Sequence, residues 1–259
     1  MAGNLNDILG AIDPESAWGG STGGGVRVAV VDSGVDGDHP DLADHVAGGV
    51  VVSAAGDEIA YADYDAVDSS GHGTACAGII ASIAPDTEIV SVKVLGTAGA
   101  STGRVFIGGL AWAIANECRV INLSLGTTSR RYFEALHELA EMAYYHDTVL
   151  VTAAENTGRK SYPSTFSSLI SVDYEEIHEP LRFLYRLSNR IEFVAPGVNI
   201  EVPSPGGGTV RQTGSSFAAP HISGIAALIL SKHPQLRPFE LKTVLYRVAC
   251  HTEGGQGHE

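Results

Sequence analysis

With 259 residues, 44% hydrophobic and 18% charged, the chain can bury a sizeable core as one globular domain or two small ones. Its formal charge of −14 argues against nucleic acid and against anionic membrane surfaces as partners. No run of eighteen consecutive apolar residues occurs, so the sequence offers no membrane-spanning helix.

The N-terminus, MAGNLNDILGAIDPESAWGG, lacks the basic start and long apolar core of a secretory signal. Together with the glycine-rich GGSTGGG it is expected to form a mobile extension over residues 1–25. The run VRVAVVD (26–32) then reads as a strand, followed by a helical pattern over 73–83 and a second strand, EIVSVKVL (88–95). A helix over 103–117, the strand RVINLSL (119–125), a helix over 130–145 and the strand TVLVTAA (148–154) continue the alternation. LISVDY (169–174) and a helix over 216–232 follow, and residues 251–259 read as a flexible tail behind a single domain spanning 26–250. Short, β-branched, nearly continuous apolar runs belong to a parallel sheet covered on both faces. The expected fold class is therefore α/β: a three-layer, doubly wound, mostly parallel central sheet with helices on both faces and right-handed crossovers. In such sheets ligands collect beyond the carboxyl ends of the strands.

Four residues fall at that edge. Asp32 ends the first strand, in VVDSGVDGDHPDL, where an aspartate is also an ordinary turn residue. His72 stands between Gly71 and Gly73 at the start of an apolar helix, and the two glycines allow close backbone approach and leave the imidazole accessible. Asn156 follows a strand in VTAAENTG. Ser216, in TGSSFAAP, opens a helix whose free N–H groups and positive end converge on whatever is bound there, with Pro220 expected in the first turn or so. Each alone has a structural reading. Together they supply a nucleophile (Ser216), a base for its proton (His72), a carboxylate that fixes the base (Asp32) and an oxyanion donor (Asn156).

The segments VAVVDSGVDGDHPDL, GHGTACAGIIA, INLSLG, VAPGVNI and GSSFAAPHISG resemble, in order and spacing, the signatures of the subtilisin-like serine proteases. The resemblance runs from about Val26 to the final helix near residue 249. It implies Asp32, His72 and Ser216 as a catalytic triad, with Asn156 as the oxyanion side chain. Ser215 takes the place of the family's usual threonine and Phe217 that of its usual methionine. The resemblance also implies that a peptide or protein substrate lies as an added strand between SLGT (Ser124–Thr127) and GAST (Gly99–Thr102). The substrate-binding residues would be Gly99, Ala100, Ser101, Ser124, Leu125, Gly126, Ala154 and Glu155. A monomeric serine endopeptidase is expected, with a peptide ligase using the same triad or an inactive binding protein as alternatives. Only 39 residues separate Asp32 from His72, which leaves little room for the helical cap carried by ligating relatives.

Several features depart from the family's pattern. Ser82 runs almost directly into Ala84 and Pro85, so the loop that in relatives helps hold a tightly bound calcium is absent. No cofactor is expected to be required. Weak calcium binding is possible at Asp36, Asp38 and Asp41 or at Asp63, Asp65 and Asp68, although solvated loop carboxylates are the plainer reading. Glu155 replaces the family's usual glycine. It can select Lys or Arg before the scissile bond, but Arg159 and Lys160 can neutralise it, and the favoured reading points it to solvent. Cys76, four residues after His72 on one helix face, is expected to be a small buried residue beneath the histidine. Cys76, Cys118 and Cys250 have no framework spacing, and no pro-segment is recognised. Both observations suit a cytoplasmic enzyme, the alternative being a secreted mature enzyme with its pro-region removed.

Overall fold

A computed structural model describes residues 12–56, 58–96 and 101–252. In chain order the described elements begin with helix α1 (Pro14–Trp18), strand β1 (Arg27–Asp32), β2 (Val46–Ala55), β3 (Glu58–Asp63) and helix α2 (His72–Ile83). Strand β4 (Glu88–Lys93), helix α3 (Gly103–Ala115), β5 (Val120–Leu123), helix α4 (Phe133–Tyr145), β6 (Val149–Ala153) and β7 (Ile170–Glu175) follow. The chain closes with β8 (Leu184–Arg186), β9 (Phe193–Pro196), the pair β10 (Ile200–Pro203) and β11 (Thr209–Gln212), helices α5 (Ser215–Lys232) and α6 (Pro238–Val248), and β12 (Cys250–Thr252).

Among the described residues, ten strands form one sheet in the order β12-β8-β9-β7-β6-β5-β1-β4-β2-β3. The interior pairings are parallel, and the antiparallel ones sit towards the two margins, β3 on β2 and β8 on β9. Successive strand residues face opposite sides. Val28, Val30, Val120 and Val149 therefore pack with Ile80 of α2 and Ile225 of α5, while Ala29, Val31, Ile121 and Leu150 pack with Leu110 of α3 and Leu136 of α4. This is the expected three-layer arrangement. Helix α5 is the central covering element: Ile222, Ile225 and Ile229 are fully buried, and each such side chain contributes about 1.5–3 kcal/mol.

The five strands read from the sequence form the middle of the sheet, because a strand buried on both faces must be apolar throughout. The marginal strands do not carry that signal. In β3 most residues are exposed, and β8 and β12 are three residues each.

The expectation of a mobile extension over 1–25 is corrected for its described part. Asp13 caps α1 by accepting from the Ser16 N–H at 2.7 Å, while the Ser16 hydroxyl accepts from the Asp13 N–H at 2.9 Å, and Pro14 occupies a first-turn position. Ala17 and Trp18 are buried, and Lys232 donates to the Glu15 and Gly19 carbonyls, so α1 docks on α5. His251 and Thr252, expected to belong to a flexible tail, instead pair with Tyr185 and Arg186.

Candidate active site

Strand β1 delivers Asp32, fully buried, to the carboxyl edge of the sheet. Helix α2 delivers His72 above it. The Nδ1 of His72 lies 2.8 and 2.9 Å from the two Asp32 carboxylate oxygens. With Nδ1–H donating there, the lone pair of Nε2 is left for the solvent side. Glycine makes this approach possible: a Cβ on Gly73 would collide with the Gly34 carbonyl oxygen and lie 3.1 Å from the Asp32 Cβ. Burial pulls the His72 imidazole down, but the adjoining Asp32 charge and hydrogen bond raise it well above its ordinary value. Cys76 lies beneath, fully buried as expected, and burial raises its thiol. A protonated thiol adds no charge, so the upward push on His72 is that of Asp32.

Ser216 is the second residue of α5, after Gly214 whose φ of 149° suits a residue without a side chain. Its hydroxyl hydrogen-bonds the Ser124 carbonyl at 3.4 Å and not His72. Pro220 is the sixth helical residue, deeper than the first turn expected, and its missing N–H leaves the Ser216 carbonyl without its helical partner. That carbonyl instead accepts from the Ser124 hydroxyl at 2.8 Å, with the Cys76 sulfur 3.4 Å away. Ser124 is oriented by Asn122, whose Nδ2 donates to its hydroxyl oxygen at 2.9 Å, and the Ser223 hydroxyl donates to Asn122 Oδ1 at 2.9 Å. The proline thus exchanges a helical bond for a tie between α5 and the end of β5.

Asn156 stands beside this helix start. Its Oδ1 accepts from the Ser215 N–H at 3.1 Å and lies 2.9 Å from the Ser215 hydroxyl, itself 2.6 Å from the Ala154 carbonyl. With Oδ1 engaged, the Nδ2 end is the one left to donate into the cavity that Asn156 and Ser216 share. Ser215 is therefore more than a neighbour of Ser216: it aims Asn156. Sequence reasoning missed this role and that of Asn122, although an asparagine inside the apolar VINL was a visible irregularity.

Two cavities flank the segment 124–127. One, of about 510 Å³, includes His72, Leu95, Ser101, Phe106 and Leu125. The other, of about 520 Å³, includes Gly126, Ala154, Glu155, Asn156 and Ser216. Ser124 borders both, and Thr127 exchanges backbone bonds with Tyr162 at 2.9 and 2.8 Å. Gly99 and Ala100 lie outside the described residues.

Glu155 does not point freely to solvent. Its carboxylate accepts from the Thr157 N–H and hydroxyl, the Arg159 N–H and the Arg159 guanidinium, at 2.7 to 3.3 Å. The Thr157 hydroxyl above all, with these other donors, holds it down to about 2. Lys160 lies over the Tyr162 ring instead, 5.5 Å from its centroid. Of the acidic loops, Asp36 accepts from the Asp38 and Gly206 N–H groups, and Asp65 pairs with Lys93 at 2.8 Å. Among the described residues, neither loop brings three ligand atoms within 4.8 Å of one another; Asp32, His72 and Cys76 do. Helix α2 runs without interruption to Ile83 where relatives are expected to carry the calcium loop.

A mostly parallel three-layer sheet that presents Asp32, His72, Asn156 and Ser216 at one edge, in that chain order, defines an α/β protein with a buried aspartate–histidine pair beside a cavity lined by serine and asparagine. Residues 23–258 match the model described as Subtilase family, and the chain belongs to that family. It is similar to a subtilisin of Bacillus pumilus, at 36% identity over 230 residues, 83% of this chain and 80% of that one. Subtilisin NAT of Bacillus subtilis subsp. natto is likewise 36% identical over 230 residues, and the match spans only 58% of its length. Among solved structures, a cold adapted subtilisin-like serine proteinase is similar at a TM-score of 0.74 and 27% identity, over 92% of this chain and 86% of that one.

Proposed function

We propose that the protein is a serine endopeptidase that cleaves peptide bonds through an acyl-enzyme. The observation that carries this is the buried Asp32 carboxylate bonded to His72 Nδ1 at 2.8 Å, with Nε2 left free on the side of the cavities. In this reading Ser216 Oγ attacks the substrate carbonyl carbon while His72 Nε2 takes the hydroxyl proton. Asp32 holds the tautomer and stabilises the imidazolium. Negative charge grows on the carbonyl oxygen, and Asn156 Nδ2 and the Ser216 N–H donate to it. The C–N bond breaks as His72 returns the proton to the leaving amine. Water, deprotonated by His72, then cleaves the ester and restores Ser216.

The substrate lies along 124–126 as an added strand, across the cavity from Ser101, with the side chain before the scissile bond in the cavity beside Ala154 and Glu155. Because the Glu155 charge is already matched by Arg159 and Thr157, no preference for Lys or Arg follows from it. The reading further holds that the enzyme acts as a monomer, needs no cofactor and binds calcium at most weakly. Three free cysteines favour a cytoplasmic location, where thiols stay reduced. Ser216→Ala tests the central role. Turnover of a peptide substrate should fall by about four orders of magnitude or more, the usual loss for a triad serine, with the fold unchanged by circular dichroism. Undiminished hydrolysis would overturn the assignment.

A further inference from the structure

Helix α2 is preceded at its N-cap by Gly71, a residue with no side chain to cap it and with φ at 85°. The first N–H groups of a helix have no internal partners, and here the residue they must hold still is His72. The caps come from two side chains outside the helix. Asp68 Oδ1 accepts from the Ser70 N–H at 2.9 Å, the Gly71 N–H at 2.8 Å and the Ser33 hydroxyl at 2.7 Å. Asp68 Oδ2 accepts from the Thr74 N–H at 2.8 Å and the Thr74 hydroxyl at 2.6 Å. The Ser33 oxygen accepts in turn from the Gly73 N–H at 3.1 Å, and the Ser33 N–H donates to Asp32 Oδ1 at 2.8 Å. Thr74 also accepts from the Asp36 N–H at 3.0 Å.

One carboxylate therefore gathers residues 70, 71 and 74 around His72 and fastens them to the residue next to Asp32. Five donors fill its roughly four lone-pair positions, which leaves none for a metal ion, the sequence-level suggestion for this loop. Burial raises the Asp68 carboxyl, but the Thr74 and Ser33 hydroxyls and the backbone donors outweigh it and keep the group below its ordinary value, hence charged at the positive end of α2.

The geometry points to Asp68 as a positioning residue for the reaction: its hydrogen bonds set the start of α2 against β1 and so hold His72 in line with Asp32 and Ser216. Asp68 acts through His72 and touches no substrate. The inference rests on the peptidase reading for its kinetic consequence but not for its geometric one.

The test compares wild type, Asp68→Asn, Asp68→Ala and Ser33→Ala in the full chain, at a temperature where each remains folded by circular dichroism. Asparagine keeps one acceptor oxygen but turns an NH2 group towards the Thr74 N–H. It should lower kcat about 10-fold with KM nearly unchanged, and alanine about 100-fold, the scale of an ångström's misplacement. Ser33→Ala, which keeps the Asp68 cap but cuts its link to β1, should fall between them and carries the test if alanine at 68 does not fold. The far-downfield proton resonance of His72 Nδ1–H, which reports its bond to Asp32, should move or broaden in Asp68→Asn. An unchanged kcat with an unmoved resonance, or a loss confined to KM, would overturn the proposal even if the melting temperature drops. A wild type that cleaves nothing while that resonance still responds to Asp68→Asn would defeat the peptidase reading and support the positioning role.

Discussion

The site has two rims, and they are held in different ways. At the Asp32–Ser216 end each functional group is fixed from far along the chain: His72 by Asp32, 40 residues away, and the Ser216 carbonyl by Ser124, 92 residues away. At the Glu155 rim the carboxylate is held by Thr157 and Arg159, two and four residues on. Long-range ties form only when the strands and helices that carry them are assembled, so this end of the site exists only in the folded domain. The local knot needs little more than its own loop. Such a rim can vary in charge without disturbing the opposite one.

That contrast orders the expected effects. The largest is the loss in Ser216→Ala given above. Next, Asn156→Ala should lower kcat by about 10²–10³-fold with little change in KM, because its contact to the oxyanion matures only in the transition state. A loss appearing chiefly in KM would move Asn156 from the long-range rim to the binding rim.

Acidity comes third. The raised His72 value means that the imidazolium–Asp32 pair stabilises the fold below the ordinary imidazole value near 6.5, and that this contribution is lost as pH rises through the raised one. Activity runs the other way, since the base must be neutral. The acid limb of kcat/KM should therefore lie above pH of about 6.5. A limb at or below that value would mean that Asp32 does not control the base.

The smallest effect belongs to the local knot. Glu155→Gln should change the preference for Lys or Arg over Leu before the scissile bond by less than about fivefold, the scale of a partly exposed ion pair. A large collapse in cleavage after Lys and Arg would show that the carboxylate leaves Arg159 to meet substrate.

The same contrast explains what the sequence disclosed. Asp32, His72, Asn156 and Ser216 stand out because each sits at a strand end or helix start marked by glycine or by an abrupt change in polarity. The central strands stand out because two-sided burial demands unbroken apolar runs. The supports are hidden. Ser215 aims Asn156 across 59 residues, and Ser33 reaches Asp68 across 35. No local pattern marks such partners, so Asp68 reads as one loop carboxylate among several. Pro220 looks like a first-turn residue until the compensating Ser124 bond is seen. Helix α1 is short and lies among glycines, and only its docking on α5 distinguishes it from an extension.

The central claim is that one of two adjacent serines is the nucleophile. Ser215 is buried and bonded to Ala154 and Asn156, whereas Ser216 faces the cavity beside Asn156. Treating the folded protein with a fluorophosphonate and mapping the adduct by peptide mass spectrometry tests this directly. The account predicts one adduct, on Ser216, that is absent when the protein is unfolded before treatment. An adduct on Ser215, or none at all on the folded protein, would contradict it.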